Sequence, residues 1–176
     1  VELYDHTSEI TDISINSVQY IFMTVSRDCY ANIYTLPDCK LVNSIKLKSP
    51  PSKCLISNSP LPCIVLYFNT EKKIDVYSIN GHFIISKNLN SEIVQWKIFT
   101  NYLFADYLMY TCKDYQKITI ASLPELSEVT KTSPEHTISD FDVSEDKSYA
   151  VLLETFTEGG KSKASIHFLK DSNLKI

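Results

Sequence analysis

Apolar and polar positions alternate along most of this chain, most clearly between His6 and Leu36. Ile10, Ile13 and Ile15 recur among polar neighbours, the pattern of a half-buried strand. A polar corner follows at Asn16 and Ser17. The β-branched and aromatic run from Tyr20 to Val25 predicts a second strand, Ser26-Arg27-Asp28 a short turn, and Tyr30 to Leu36 a third strand. Pro37-Asp38 turns the chain into a fourth strand over Leu41 to Leu47. Ahead of this unit, Val1 to Tyr4 reads as a short strand.

The same order returns downstream. Ser49-Pro50-Pro51-Ser52 breaks the pattern, because two prolines do not fit a central strand. Lys53 to Ser57, Cys63 to Phe68, Ile74 to Ile79 and His82 to Ser86 then read as strands. Cys63 to Phe68 is continuously apolar, as a strand buried on both faces would be. Asn80-Gly81 is a strong hairpin signal. A third unit opens at Ile93 to Phe99. Its next stretch, Tyr102 to Tyr110, has apolar spacing that suits a strand or a short helix. Lys117 to Leu123 and Leu126 to Thr132 complete it. A fourth unit comprises Thr137 to Val143, Tyr149 to Phe156, a loop over Glu158 to Lys161, Ser165 to Leu169, and a last strand begun by Leu174 and Ile176.

The spacing of these units decides between all-β architectures. Tyr34 to Tyr77 is 43 residues, Tyr77 to Ile120 is 43, and Ile120 to His167 is 47, with the extra length assigned to the Gly159-Gly160 loop. Four strands repeating every ~40–45 residues is the pattern of a β-propeller. An immunoglobulin-like sandwich has strands of similar length but no such internal period. The expected fold is therefore all-β, a WD40-type β-propeller, with repeats at about 6–47, 52–88, 93–132 and 136–176. These would be about four blades of a larger, seven-bladed ring. Val1 to Tyr4 would be the outer strand of a preceding blade. Such an excised piece, with two open ends, is expected to self-associate.

Composition narrows the function classes. The chain has 176 residues, 44% of them hydrophobic, enough for a sizeable core. A net charge of −4 argues against nucleic acid as a partner. Lys40, Lys46, Lys48 and Lys53 form the densest basic stretch, read as a solvated face before an acidic-lipid patch. The five cysteines include no C-x-x-C pair and lie mostly in or beside apolar runs, so free thiols in a reducing, cytoplasmic compartment are expected. No apolar run approaches a membrane span.

One constellation carries chemistry. His6, Thr24, Asp28 and Tyr34 stand where WD-repeat blades carry a His, a Ser or Thr, an Asp and a Trp in a hydrogen-bonded chain. Tyr34 replaces the Trp. Leaving the His or the Asp buried and unpaired would cost roughly 1–3 kcal/mol each, which linking them avoids. The same residue types could serve acid–base or nucleophilic chemistry, but the spacing favours a structural network. Only His136 recurs in the fourth unit. His82 follows a hairpin turn and His167 lies within a strand, and neither has a partner that marks a metal site.

Over residues 6 to about 90 the chain is similar to the C-terminal propeller of BEACH-domain proteins, the neurobeachin and beige group. The matching segments are HTSEITDISINS, with Ile10-Thr11-Asp12-Ile13; Tyr34-Thr35-Leu36-Pro37-Asp38-Cys39, with Cys39 in place of the hairpin glycine; and Tyr77-Ser78-Ile79-Asn80-Gly81. This resemblance implies a membrane-trafficking scaffold whose propeller binds other proteins and whose membrane association comes from other domains.

A non-catalytic interaction module is thus the leading expectation, without a cofactor or metal. The turns expected to share one face are Thr7 to Glu9, Ser26 to Cys29, Asn69 to Lys73, Asn90 to Glu92, Cys112 to Tyr115 and Thr157 to Lys163. Arg27, Asn69 and Asp114 are the expected partner contacts. A propeller in an unrelated cytosolic or nuclear complex is the alternative. A propeller enzyme would need charged groups at the starts of its innermost strands, which here read Ile10, Lys53, Ile93 and Ile138.

Overall fold

Why the chain folds into strands is visible in its second sheet, where Cys63–Phe68 is buried at all six positions. The computed structural model describes residues 2–100, 105–113, 115–132, 137–143, 149–158 and 161–170. Among them the chain forms fifteen strands and no helix. It divides into two units, Val1–Asn90 and Ser91–Ile176.

The first unit holds two four-stranded antiparallel sheets, each an up-and-down meander. One comprises β1 (Ile10–Asn16), β2 (Ile21–Ser26), β3 (Tyr30–Thr35) and β4 (Leu41–Lys46). The other comprises β5 (Lys53–Ile56), β6 (Cys63–Phe68), β7 (Lys73–Ser78) and β8 (Phe83–Asn88). They pack face to face. Met23, Val25, Ala31, Ile33, Ile45 and Leu47 meet Cys54, Ile56, Ile64, Leu66 and Phe68 in one buried cluster. Asn80-Gly81 forms the predicted hairpin, with Gly81 at φ +85°. The positive φ favours glycine, and a Cβ there would approach Ile45 Cγ1 to 3.0 Å, so the isoleucine would have to give by a few tenths of an ångström.

The innermost strands β1 and β5 lie side by side and are joined by side chains rather than by a ladder. Cys54 and Ile56 sit two residues apart, so their amides point to the same free edge of β5. The Cys54 amide donates to Asp12 Oδ2 (2.9 Å) and the Ile56 amide to Ser14 Oγ (3.0 Å). Asn16 Nδ2 donates to the Ser57 carbonyl (2.6 Å), and Thr11 Oγ1 to the Pro51 carbonyl (2.8 Å). β1 alternates as a half-buried strand does, but with its polar face turned inward. Its polar residues face the neighbouring sheet, while Ile10, Ile13 and Ile15 are 51%, 56% and 58% exposed.

The second unit holds β9 (Ile93–Thr100), β10 (Asp106–Cys112), β11 (Tyr115–Ser122) and β12 (Ser127–Thr132) in one sheet. A second sheet holds β13 (Thr137–Val143), β14 (Tyr149–Glu158) and β15 (Lys161–Lys170). Phe99, Tyr107, Met109, Ile118 and Ile120 pack with Phe141 in its core. The ambiguous aromatic stretch is a strand over 106–112, because its alternate residues pair with both β9 and β11. The loop expected over Thr157 to Lys163 is instead continuous pairing, Thr157 with Ser162 and Glu158 with Lys161, so the added length of this repeat extends a hairpin. Glu2 to Tyr4 form no strand, which corrects that expectation. They precede an anchor at Asp5 and His6. Leu174, Ile176 and His136 lie outside the described residues.

Removing the acceptor from Asp12 leaves the amide of the buried Cys54 unpaired, at a cost of about 1–3 kcal/mol. Asp12→Ala should lower unfolding free energy by that amount in urea denaturation. Ile13→Ser, on the exposed face of the same strand, should change it by less than about 0.5 kcal/mol. Equal losses would show that the side-chain bridge does not hold the two sheets together.

Candidate functional site

His6, Thr24 and Asp28 are brought together at one end of the first sheet. His6 Nδ1 lies 2.9 Å from Asp28 Oδ2, and His6 Nε2 lies 2.8 Å from Thr24 Oγ1. A carboxylate only accepts, so Nδ1–H donates to Asp28. The two side chains are 6% and 5% exposed, which makes this a desolvated pair. Asp28 also accepts from the amides of Thr7 (2.9 Å) and Tyr30 (3.0 Å). Burial alone would raise its pKa. The amide of Thr7, the His6 ring and the amide of Tyr30 outweigh that and hold the carboxyl below its ordinary value. Asp28 therefore ties the segment before β1 to the β2–β3 turn.

Tyr34 is 1% exposed and stacks on Phe22 with ring centroids 4.9 Å apart. Its hydroxyl accepts from Asn32 Nδ2 (3.3 Å) and lies beside Thr24 and Asp5. Burial first, and then the Asp5 carboxylate, pushes its pKa up. Asn32 passes the chain on to β4, accepting from Ser44 Oγ at 2.6 Å.

The expected contact residues fall into two groups. Arg27 projects from the β2–β3 turn, 64% exposed, with its Nε 2.9 Å from Glu9 Oε2. Such an exposed pair contributes about 0–1 kcal/mol, so the arginine is readily available to a partner. Asn69 occupies the corresponding β6–β7 turn. It accepts from the Tyr67 hydroxyl (3.0 Å), and its amide donates to Ser52 Oγ (3.1 Å). Asp114 lies outside the described residues. His82 is exposed after its hairpin, with its amide donating to Ser78 Oγ. None of the five cysteines forms a disulfide. Among the described residues no three His, Cys, Asp or Glu side chains gather as metal ligands.

A groove between the outer parts of the two sheets was not singled out from sequence. Its volume is about 440 Å³, within the range of ligand pockets. Lys46, Lys48 and Ser49 line it from the first sheet and the segment after it. Phe68, Lys73, Asp75, Tyr77, Phe83 and Ser86 line it from the second. Lys73 Nζ lies 2.5 Å from Glu71 Oε2, 3.4 Å from Asp75 Oδ2 and 4.6 Å from the Phe68 ring centroid. Burial would lower the Lys73 pKa, but the two carboxylates outweigh it and raise it. Ser86 Oγ donates to Asp75 Oδ1 at 2.5 Å. Tyr77 and Phe83 meet edge to face at 5.6 Å. Alternation on β7 puts Lys73, Asp75 and Tyr77 on one face, a signal present in the sequence. That they line one groove with Lys46 and Lys48 comes from packing alone.

The depressed Asp28 pKa fixes a pH dependence. The stability it contributes is fully present above 3.8, its ordinary value, and is lost as pH falls through the lower folded value. Asp28→Asn should flatten the acid limb of stability against pH. Asp28→Ala should lower the melting temperature by several degrees, corresponding to about 1–3 kcal/mol. Unchanged melting of Asp28→Ala would show that the network is not structural.

No protein-family model matches the chain, and no curated protein matches it. Solved structures do resemble it. Hydrazine synthase of Kuenenia stuttgartiensis aligns with a TM-score of 0.63 at 8% identity, over 92% of this chain and 51% of that one. The computationally designed Ika4 protein aligns with a TM-score of 0.61 at 14% identity, over 93% and 94%. The dihydro-heme d1 dehydrogenase NirN aligns with a TM-score of 0.63 at 14% identity, over 84% and 33%. The chain thus spans about half the length of the hydrazine synthase chain. At these identities the likeness shows the fold alone, and that fold is an all-β partial propeller.

Proposed function

We propose that this chain is a non-catalytic interaction module that presents a rigid surface to other proteins. The observation that carries this reading is the groove of about 440 Å³ between two sheets locked together at their inner edges. A preformed concavity binds with little ordering cost. Arg27 and Asn69 stand on corresponding turns of the two sheets and supply contacts beyond the groove. The partners of the reading are proteins, with no nucleic acid and no cofactor. Its location is the cytoplasm, in keeping with five cysteines that form no disulfide.

The finer reading is a scaffold in membrane trafficking, of the BEACH-protein kind, with membrane contact made by other domains. It rests on the sequence resemblance over residues 6 to about 90 and on the His6, Thr24 and Asp28 cluster. Two structural neighbours carry enzyme names, and at 8% and 14% identity they lend this chain no chemistry.

Proximity labelling tests both levels. With a biotin ligase fused to the protein in its natural full-length form, a reproducible set of proteins should be enriched over an unrelated propeller expressed at the same level. The trafficking reading requires vesicle-coat or tethering proteins in that set. Enrichment of nuclear complexes instead would replace it, and no enrichment would overturn the interaction module itself.

A further inference from the structure

Resting on the interaction-module reading, we propose that the groove between the first two sheets takes an extended acidic peptide segment of a partner protein, one that inserts an aromatic or aliphatic side chain. The lining divides into a committed floor and an uncommitted rim. Lys73 belongs to the floor: its charge is met by Glu71 and Asp75, and its position is fixed over Phe68. Lys46 and Lys48 belong to the rim. Both are exposed and neither makes an ion pair among the described residues. Three lysines face a single carboxylate, Asp75, within the lining.

The apolar part of the site is equally specific. Phe83 is 57% exposed at the edge strand β8, yet it packs edge to face with Tyr77. An exposed phenylalanine beside a cavity offers apolar area that an inserted side chain would cover. Charge complementarity then sets the rest of the ligand: carboxylates flanking the inserted residue pair with Lys46 and Lys48. Phe83 stands on the second sheet and the two rim lysines at and just beyond the end of β4, so a segment lying along the cleft meets all three.

A peptide fits this geometry better than an acidic membrane. Polybasic lipid recognition uses clusters of about 4–8 basic residues on an accessible surface. Here only two lysines are uncommitted, fewer than such a cluster needs.

The test is selection of random twelve-residue peptides displayed on phage against the full protein. Binding of the enriched sequences is then measured by fluorescence anisotropy. Enriched peptides should be rich in Asp and Glu around one aromatic or aliphatic residue. The double variant Lys46→Glu/Lys48→Glu should weaken them at least roughly tenfold, and salt should weaken them in the wild type. Phe83→Ala should weaken them several-fold with the charge preference kept. The altered side chains are exposed, so unchanged thermal melting checks that each variant is folded. Peptides without acidic bias, or acidic peptides indifferent to both variants, would overturn the proposal. Competition of the peptides by vesicles containing phosphatidylserine, lost in the double variant, would assign the lysines to membrane and overturn it as well. If the labelled protein set persists in the double variant while peptide selection fails, the groove is wrong and the interaction module stands. If the labelled set is itself absent, the module is wrong.

Discussion

The free edge of β5 is the constraint on which the first unit depends. A short innermost strand pairs with β6 on one side only, and its other edge offers the Cys54 and Ile56 amides. Both residues are buried, at 1% and 4% exposure, so water does not serve those amides. An unpaired buried amide is costly, and a second main-chain ladder would fuse the two sheets into one. Asp12 and Ser14 resolve this by accepting from the amides with side chains, and Asn16 adds a donor to Ser57. The sheets remain separate while their inner edges are tied.

That tie explains the groove. Sheets joined at one edge and twisted in the usual sense diverge toward their outer strands. Near the join the gap is filled by Met23, Val25, Ile64 and Leu66, each wholly buried. Further out, the filling becomes long and polar: Lys46 and Lys48 from one side, Lys73, Asp75 and Tyr77 from the other. The residues that could engage a partner thus stand on main chain whose geometry is set by the inner core. The main chain of this surface is thus fixed in advance, while the exposed side chains of Lys46 and Lys48 keep their rotamer freedom.

The periodicity of the chain made the sheets legible. Apolar continuity located β6 to the residue, and the 43-residue spacing placed corresponding third strands in successive sheets. His6, Thr24 and Asp28 were legible as a set because their spacing resembles the hydrogen-bonded positions of WD-repeat blades, and the cost of burying such groups unpaired explains why they meet. The orientation of β1 was not. Alternation assigns two faces to a strand but does not say which one meets a neighbour, and here hydrogen bonding to β5 outweighed the burial of Ile10, Ile13 and Ile15. The long β14–β15 hairpin was hidden because Thr157, Glu158, Lys161 and Ser162 are polar and flank two glycines, which reads as a loop although their backbones pair. The groove was hidden for another reason: its two sides, Lys46 to Ser49 and Phe68 to Ser86, are separated in sequence by a turn and most of two strands.

The scarcity of glycine, three in the whole chain, has a structural counterpart in the turns. Left-handed backbone is carried by Tyr20, Cys29, Cys39, Lys72 and Leu126, with φ between 50° and 67°. Each such position costs on the order of 1–3 kcal/mol unless its surroundings hold it. The surroundings here are specific. Asp28 accepts from the Tyr30 amide across Cys29, and the Leu47 amide donates to the Cys29 carbonyl. The Cys39 amide bonds to the Thr35 carbonyl, and the Lys72 amide to that of Asn69. Turns closed in this way exchange the freedom of glycine for a fixed path. Arg27 and Asn69 sit within two of them. The rigidity of the turns and of the tied sheets therefore has a common source: hydrogen bonds that satisfy main-chain groups at the margins of the strands.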